Sequence, residues 1–183
     1  LLFTALAALL GLLIGSFINV VAHRLPIMLN RQWRAQAQAV LGLPVETHGR
    51  FDLAWPGSHC PHCRHALRAW QNVPLLSYLL LRRRCAACAR PIGLRYPLME
   101  LVAAVSSALV AWRVGPGAQA LTLLMLTWAL LSLSLIDLEH LLLPDVIVLP
   151  TLWLGLLLNT FGQHATLSDA CWGAVAGYLS LWL

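Results

Sequence analysis

The chain is built from long apolar runs separated by one extended polar interruption. Leu1 to Ala22 is apolar almost throughout and meets the ~20 residues a helix needs to cross a bilayer. No basic stretch precedes it and no small-residue cleavage site follows, which argues against a removable signal peptide. Gly11 and Gly15-Ser16 predict a face of small residues suited to close helix contact. Asn19 lies near the end of this run, and Pro26, within His23-Arg24-Leu25-Pro26, predicts the helix exit. After the polar interruption, Leu98–Trp112, Ala118–Ile136 and Val146–Phe161 predict three further spans, and a fifth begins at Asp169 and runs to the chain end. Pro144 should break the chain after the third of these five spans. Asp145 is the expected N-cap of the fourth, and Asp169 of the fifth.

The interruption itself is heterogeneous. Gln32 to Leu43 is rich in Ala and Gln and predicts a short, separate amphipathic helix on the membrane surface; Pro44 to Ser58 reads as irregular. Trp70 to Leu81 is apolar but only about twelve residues long and contains Pro74. It is too short to span and predicts an interfacial or re-entrant piece. The expected fold class is all-α: a polytopic membrane helix bundle with a small domain inserted between the first two spans, a zinc-knuckle domain by its paired cysteines (Cys60, Cys63, Cys85, Cys88) and cytoplasmic by its arginines. The expected divisions are residues 1–22 (first span), 23–96 (loop domain) and 97–183 (four further spans).

Composition sharpens this picture. Hydrophobic residues make up 60% of the chain and charged residues 10%, against the ~25% charge of soluble domains. All twelve basic residues are arginine, and all but Arg113 lie between Arg24 and Arg95, a segment whose acids are Glu46 and Asp52. The net charge of +5 is thus a property of one loop and does not indicate nucleic acid. By the positive-inside rule that loop is cytoplasmic. Within it, Arg82-Arg83-Arg84 reads as a solvated run attracted to anionic lipid headgroups, with substrate contact as the alternative.

The loop carries Cys60-Pro61-His62-Cys63 and Cys85-Ala86-Ala87-Cys88. Two C-x-x-C pairs at this separation are a zinc signature, because two tight turns can each present two thiolates to one tetrahedral ion. Two disulfides are the alternative, disfavoured in a reducing compartment. His59, His62 and His65 are nearby candidates to replace one thiol. A closed four-cysteine site makes the expected Zn2+ structural, one per chain. Cys171 reads as a buried small hydrophobe.

The remaining chemistry is acidic. Asp137 and Glu139 arrive directly after the third apolar run, and Asp145 follows Pro144. An ionisable group at the end of a membrane span is costly and marks a candidate functional site. Glu100, near one end of the second span, reads either as a partner of Arg95 or as a contact for a substrate cation.

These stretches together resemble the bacterial type IV prepilin peptidases, the leader peptidases and N-methyltransferases of pilus and type II secretion systems. The resemblance rests on Gly15-Ser16-Phe17-Ile18-Asn19-Val20 with Arg24-Leu25-Pro26, on the two cysteine pairs, on Asn72-Val73-Pro74-Leu75-Leu76-Ser77-Tyr78, on Pro91-Ile92-Gly93 with Arg95-Tyr96-Pro97-Leu98, and on Ile136-Asp137 through Leu142-Leu143-Pro144-Asp145. It covers essentially the whole chain. It implies a multi-pass protein of the bacterial inner membrane, an aspartic peptidase of the GxGD type. Such an enzyme removes the basic leader of prepilins and pseudopilins at the cytoplasmic face. It then methylates the new N-terminus with S-adenosylmethionine. On matching positions Asp137 is the first catalytic aspartate, and Cys60, Cys63, Cys85 and Cys88 are the zinc ligands. The family's second aspartate, in a G-x-G-D motif beyond the fifth span, has no match here, so the expectation is a truncated chain that is inactive alone.

Peptide hydrolysis by carboxylates needs two, one ionised to activate water and one protonated to hydrogen-bond the carbonyl; proximity splits their pKa values. Asp145 is a weak candidate for the second, eight residues past Asp137 and beyond a proline. Asp169 should lie on the opposite membrane face. Glu100, Glu139 and Asp145 could attract a basic leader. Two other readings remain open: a non-catalytic zinc-knuckle membrane module that binds pilus or secretion components, and a zinc-dependent membrane protease. The second expects a HExxH helix, and the chain has no HExxH.

Overall fold

The computed structural model describes residues 1–45, 49–60 and 62–182. Among them lie six helices: α1 (Leu2–Val40), α2 (Leu76–Leu80), α3 (Arg95–Val114), α4 (Ala118–His140), α5 (Asp145–Asn159) and α6 (Leu167–Trp182), with a 3-10 turn at Ala69–Asn72. No strand occurs among these residues; two isolated bridges, His59 with Ala66 and Arg84 with Pro91, are the extended pairings. The molecule is all-helical, with α1, α3 and α4 long and apolar enough to cross a membrane. The α5 and α6 helices are shorter, at 15 and 16 residues, than the ~20 expected of the fourth and fifth spans.

The first helix departs most from expectation. It does not end at Pro26, and Gln32 to Leu43 is not a separate helix: one helix of 39 residues continues to Val40. At 1.5 Å per residue it is roughly 58 Å long, about twice the hydrocarbon thickness. A proline inside a helix removes one backbone bond and crowds the preceding turn, at a cost of about 3 kcal/mol. Here Pro26 is fully buried beside Ala22 and Leu25, and Asn30 Nδ2 donates to its carbonyl at 2.9 Å. Burial of the ring accompanies the continuous helix through this position. Just before it, Arg24 donates to the carbonyls of Asp52 and Leu53 at 3.0 and 3.3 Å, and beyond it Arg31 lies over the Phe51 ring at 4.6 Å. The helix is thereby clasped by the loop. Glu46 lies outside the described residues.

Helices α1, α3 and α4 form the core, and α1 packs most extensively against α3. Gly11 and Gly15 explain the closeness of that contact. A Cβ at Gly11 would lie 2.5 Å from the Ala103 carbonyl oxygen and 2.8 Å from the Ala104 Cα. One at Gly15 would lie 2.7 Å from the Glu100 Cα. These are backbone atoms that cannot swing aside, so the small-residue face expected from sequence is used fully. Asn19, one turn further on, donates to Gly15 O at 3.1 Å and to Tyr96 O at 3.3 Å, joining α1 to the start of α3. Ile18, Val21, Ala22 and Leu25 then meet Leu135 and Ile136 of α4. On the same three-helix seam, Trp128 Nε1 donates to the buried Ser107 hydroxyl at 2.9 Å.

Apart from the end of α1, helix ends fall within a few residues of those expected. The α3 helix starts at Arg95, ahead of the expected Leu98, because Pro97 falls in the first turn, where a missing N–H costs nothing. Asp145 is not the N-cap of α5 but its first residue; Pro144 holds the cap position. Asp169 likewise does not cap α6. Thr166 does, accepting from Asp169 N at 3.2 Å while its hydroxyl donates to the Asp169 carboxylate at 2.7 Å. Cys171 is exposed rather than buried, since α6 packs chiefly against α5.

Replacing Gly15 by Ala should lower the thermal stability of the detergent-solubilised protein by about 1–3 kcal/mol through overpacking. Gly155→Ala, at a position with open space around it, should leave the melting temperature unchanged or slightly raised.

Candidate functional site

The four cysteines form two matching turns. In the first, Arg64 N donates to Cys60 O at 2.9 Å and Cys60 N to His65 O at 3.0 Å. In the second, Ala89 N donates to Cys85 O at 3.0 Å and Cys85 N to Arg90 O at 2.9 Å. Each chain reverses through a residue with positive φ immediately after the second cysteine, Arg64 at 57° and Ala89 at 54°. That conformation costs a non-glycine residue roughly 1–2 kcal/mol, and it turns the backbone back so that both thiols point the same way.

The four sulfurs lie within 4.8 Å of one another, with Cys60 to Cys88 at 3.9 Å and Cys63 to Cys85 at 4.0 Å. Four sulfurs at ~2.3 Å from a tetrahedral zinc would be about 3.8 Å apart. The cluster can therefore hold a metal such as zinc with little adjustment. None of the three histidines joins the sulfur cluster: Arg90 reaches His62 Nδ1 at 3.0 Å, and His59 Nδ1 lies 2.9 Å from Gly57 O. The electrostatics suit a cation. Backbone N–H groups of Cys88 and Ala87 bring the Cys85 thiol down to about 6, and those of Cys63 and His62 lower Cys60. The His65 N–H favours the Cys63 thiolate, but burial and the facing sulfurs prevail and push that thiol up to about 11. Clustered sulfurs cannot all become thiolates without a positive centre among them.

The acids occupy three different environments. Glu100 is buried, and its carboxylate accepts the Leu75 N–H at 2.8 Å. Leu75 is the centre of a γ-turn with φ 56°, closed by Leu76 N to Pro74 O at 2.5 Å. This turn type is strained and rare. Glu100 thus fastens a strained loop to α3. The expected Glu100–Arg95 pairing does not form; Arg95 is paired with Glu139 across the α3–α4 interface. Side-chain direction decides this, since Glu100 points toward α1 and the loop while Arg95, one turn earlier, reaches α4.

Asp137 sits in the last turn of α4, directly after the fully buried Ile136, and is exposed. Its backbone carbonyl accepts the N–H of Leu141, which closes the helix in the left-handed conformation at φ 49°. No side-chain hydrogen bond or ion pair engages the Asp137 carboxylate among the described residues. Asp145 is also exposed, and no hydrogen bond joins it to Asp137. The Arg95–Glu139 pair puts the start of α3, and hence the cysteine turns just before it, at the same end of the bundle as Asp137. At the other end, His164 is hydrogen-bonded to Thr122 in the first turns of α4 at 2.7 Å. Asp169 belongs to that end, about 22 Å of helix away from Asp137.

Sequence reasoning missed the Arg95–Glu139 pair, the Leu75 turn and the Arg24 clasp. A lone acid in an apolar helix was the available signal for Glu100; nothing local marked its partner.

An apolar three-helix core carrying a tetracysteine knuckle and an exposed acid at one end defines a class of polytopic membrane protein with a loop able to hold a metal. Residues 9–114 match the family model described as Bacterial Peptidase A24 N-terminal domain, and residues 124–183 that of the Type IV leader peptidase family. The chain belongs to this A24 family of type IV leader peptidases. It is 61% identical over 98% of its length to the prepilin leader peptidase/N-methyltransferase of Pseudomonas putida, 56% identical over 98% to that of Stutzerimonas stutzeri, and 55% identical over 98% to that of Pseudomonas aeruginosa. It spans 62–63% of the length of these relatives. No solved structure matches it.

Two measurements check this geometry. Metal analysis of the purified protein should find one zinc per chain, and Cys60→Ser or Cys85→Ser should reduce it to near zero. Glu100→Ala should expose the Val73–Leu81 segment to limited proteolysis. Glu100→Gln, which keeps an acceptor oxygen for the Leu75 N–H, should leave cleavage close to that of the parent.

Proposed function

We propose that the whole protein is a membrane aspartic endopeptidase that removes the basic leader from type IV prepilins and type II secretion pseudopilins. Cleavage takes place at the cytoplasmic face of the inner membrane, and N-methylation of the new N-terminus follows. The observation that carries this reading is an exposed carboxylate, Asp137, at the end of an apolar helix on the same end of the bundle as the knuckle. A prepilin presents its scissile bond where a polar leader meets an apolar helix, which is the depth of Asp137. The relatives' name, prepilin leader peptidase/N-methyltransferase, supports both activities.

Asp137 is the first of two carboxylates in this mechanism. Its accessible oxygens are free to activate water, and a second aspartate, beyond Leu183 in the whole protein, supplies the complementary acid. Glu139 and Asp145 present negative charge at the same end toward a basic leader; Glu139 does so while neutralised in part by Arg95. Glu100, engaged with Leu75, serves the loop and not the leader. The four cysteines hold zinc as a closed structural site, which leaves no position for a metal-bound nucleophile and weighs against a zinc protease. S-adenosylmethionine as methyl donor follows from the family resemblance.

In the full-length enzyme, Asp137→Asn should reduce prepilin cleavage by at least about a thousandfold, as expected for losing one of two catalytic acids. Asp145→Asn should retain cleavage within about tenfold. Cleavage by Asp137→Asn at the parental rate would instead favour a non-catalytic zinc-knuckle module that binds pilus components.

A further inference from the structure

We propose that α2 and the arginines after it form a lipid-binding surface that seats the knuckle loop on the membrane, with anionic phospholipid headgroups as the ligand. The depth of α2 comes first. Leu75, the residue before α2, is hydrogen-bonded to Glu100, the sixth residue of α3. The α3 helix has 20 residues, about 30 Å, the thickness of the hydrocarbon core. Glu100 lies about 7 Å along it, so the start of α2 is held within reach of the acyl chains, just inside their polar edge, and not out in solution.

The surface chemistry fits that depth. Leu76, Leu79 and Leu80 occupy positions i, i+3 and i+4 of α2 and share one face. They are 56%, 72% and 65% exposed, a cost that water would impose and acyl chains would not. Just after them Arg82, Arg83 and Arg84 are all exposed, with no acidic partner among the described residues. Arg82 and Arg83 both have positive φ, and Ile92 N donates to Arg83 O at 2.7 Å. The triple-arginine turn is therefore fixed in the fold. Three guanidinium groups beside an apolar edge is the pattern of an interfacial anchor, in which leucines enter the acyl boundary and cations meet lipid phosphate.

This inference rests on α3 crossing the bilayer and not on the peptidase reading, so either can fail without the other. The test is backbone hydrogen–deuterium exchange over residues 76–84 in the full-length protein, reconstituted in nanodiscs of phosphatidylcholine alone or with phosphatidylglycerol added. Phosphatidylglycerol should slow exchange by about fivefold or more. The combined Arg82→Gln, Arg83→Gln and Arg84→Gln variant should lose that difference, and the corresponding triple Lys variant should keep it. Zinc content of each variant reports that the knuckle is intact. Exchange that is equally slow in both lipids would mean that protein covers the segment, and exchange equally fast in both would mean that nothing does; either result overturns the proposal.

Discussion

The backbone-to-backbone approach of α1 and α3 at Gly11 and Gly15 is the constraint on which the other contacts depend. With no Cβ at these two positions, the helices come close enough for Asn19 to reach the Tyr96 carbonyl and for Ser107 to sit between Gly11 and Trp128. In lipid there is little hydrophobic drive between helices, so close van der Waals packing and short polar contacts of this kind must do the holding. The same approach sets the height of α3 relative to α1, and therefore the height of Arg95 and Glu100.

From those two residues the polar end of the molecule is assembled. Arg95 ties the first turn of α3 to the last turn of α4, where Asp137 stands two residues before Glu139. Glu100 ties the segment between the two cysteine turns to α3. Both charges are committed to architecture, one across a helix interface and one on a strained turn. Asp137, by contrast, has its backbone committed to a helix cap and its carboxylate open. Asp137 and Asp145 are the acids at this end whose carboxylates stay accessible, whereas a group already bound by a neighbour would have to be released before it could act.

The cysteine loop is stiffened by means independent of the helices. Two turns of the same hydrogen-bond pattern, each with a left-handed residue at the same place, bring four sulfurs together, and Arg90 bridges them through His62. The strain at Arg64 and Ala89 implies a compensating interaction, and metal coordination by four thiols is the chemistry the distances allow. Helix α1 adds a second support to the loop, through Arg24 on Asp52 and Arg31 on Phe51.

What the amino-acid sequence determined alone was whatever depends on local composition and spacing. The apolar runs announced the helices, the paired C-x-x-C spacing announced the sulfur cluster, and the glycines at one-turn spacing announced a close helix contact. Each of these signals is complete within a few residues of chain. Tertiary structure decided the partners. Pro26 reads as a stop because proline disfavours a helix locally, and it became part of a continuous helix because packing against neighbours distant in sequence outweighed that preference. Arg95 was expected to find Glu100, five residues on, and found Glu139 instead. Which charges meet depends on the faces two helices present to each other, and that is set by their relative height and rotation, which no single stretch of chain contains.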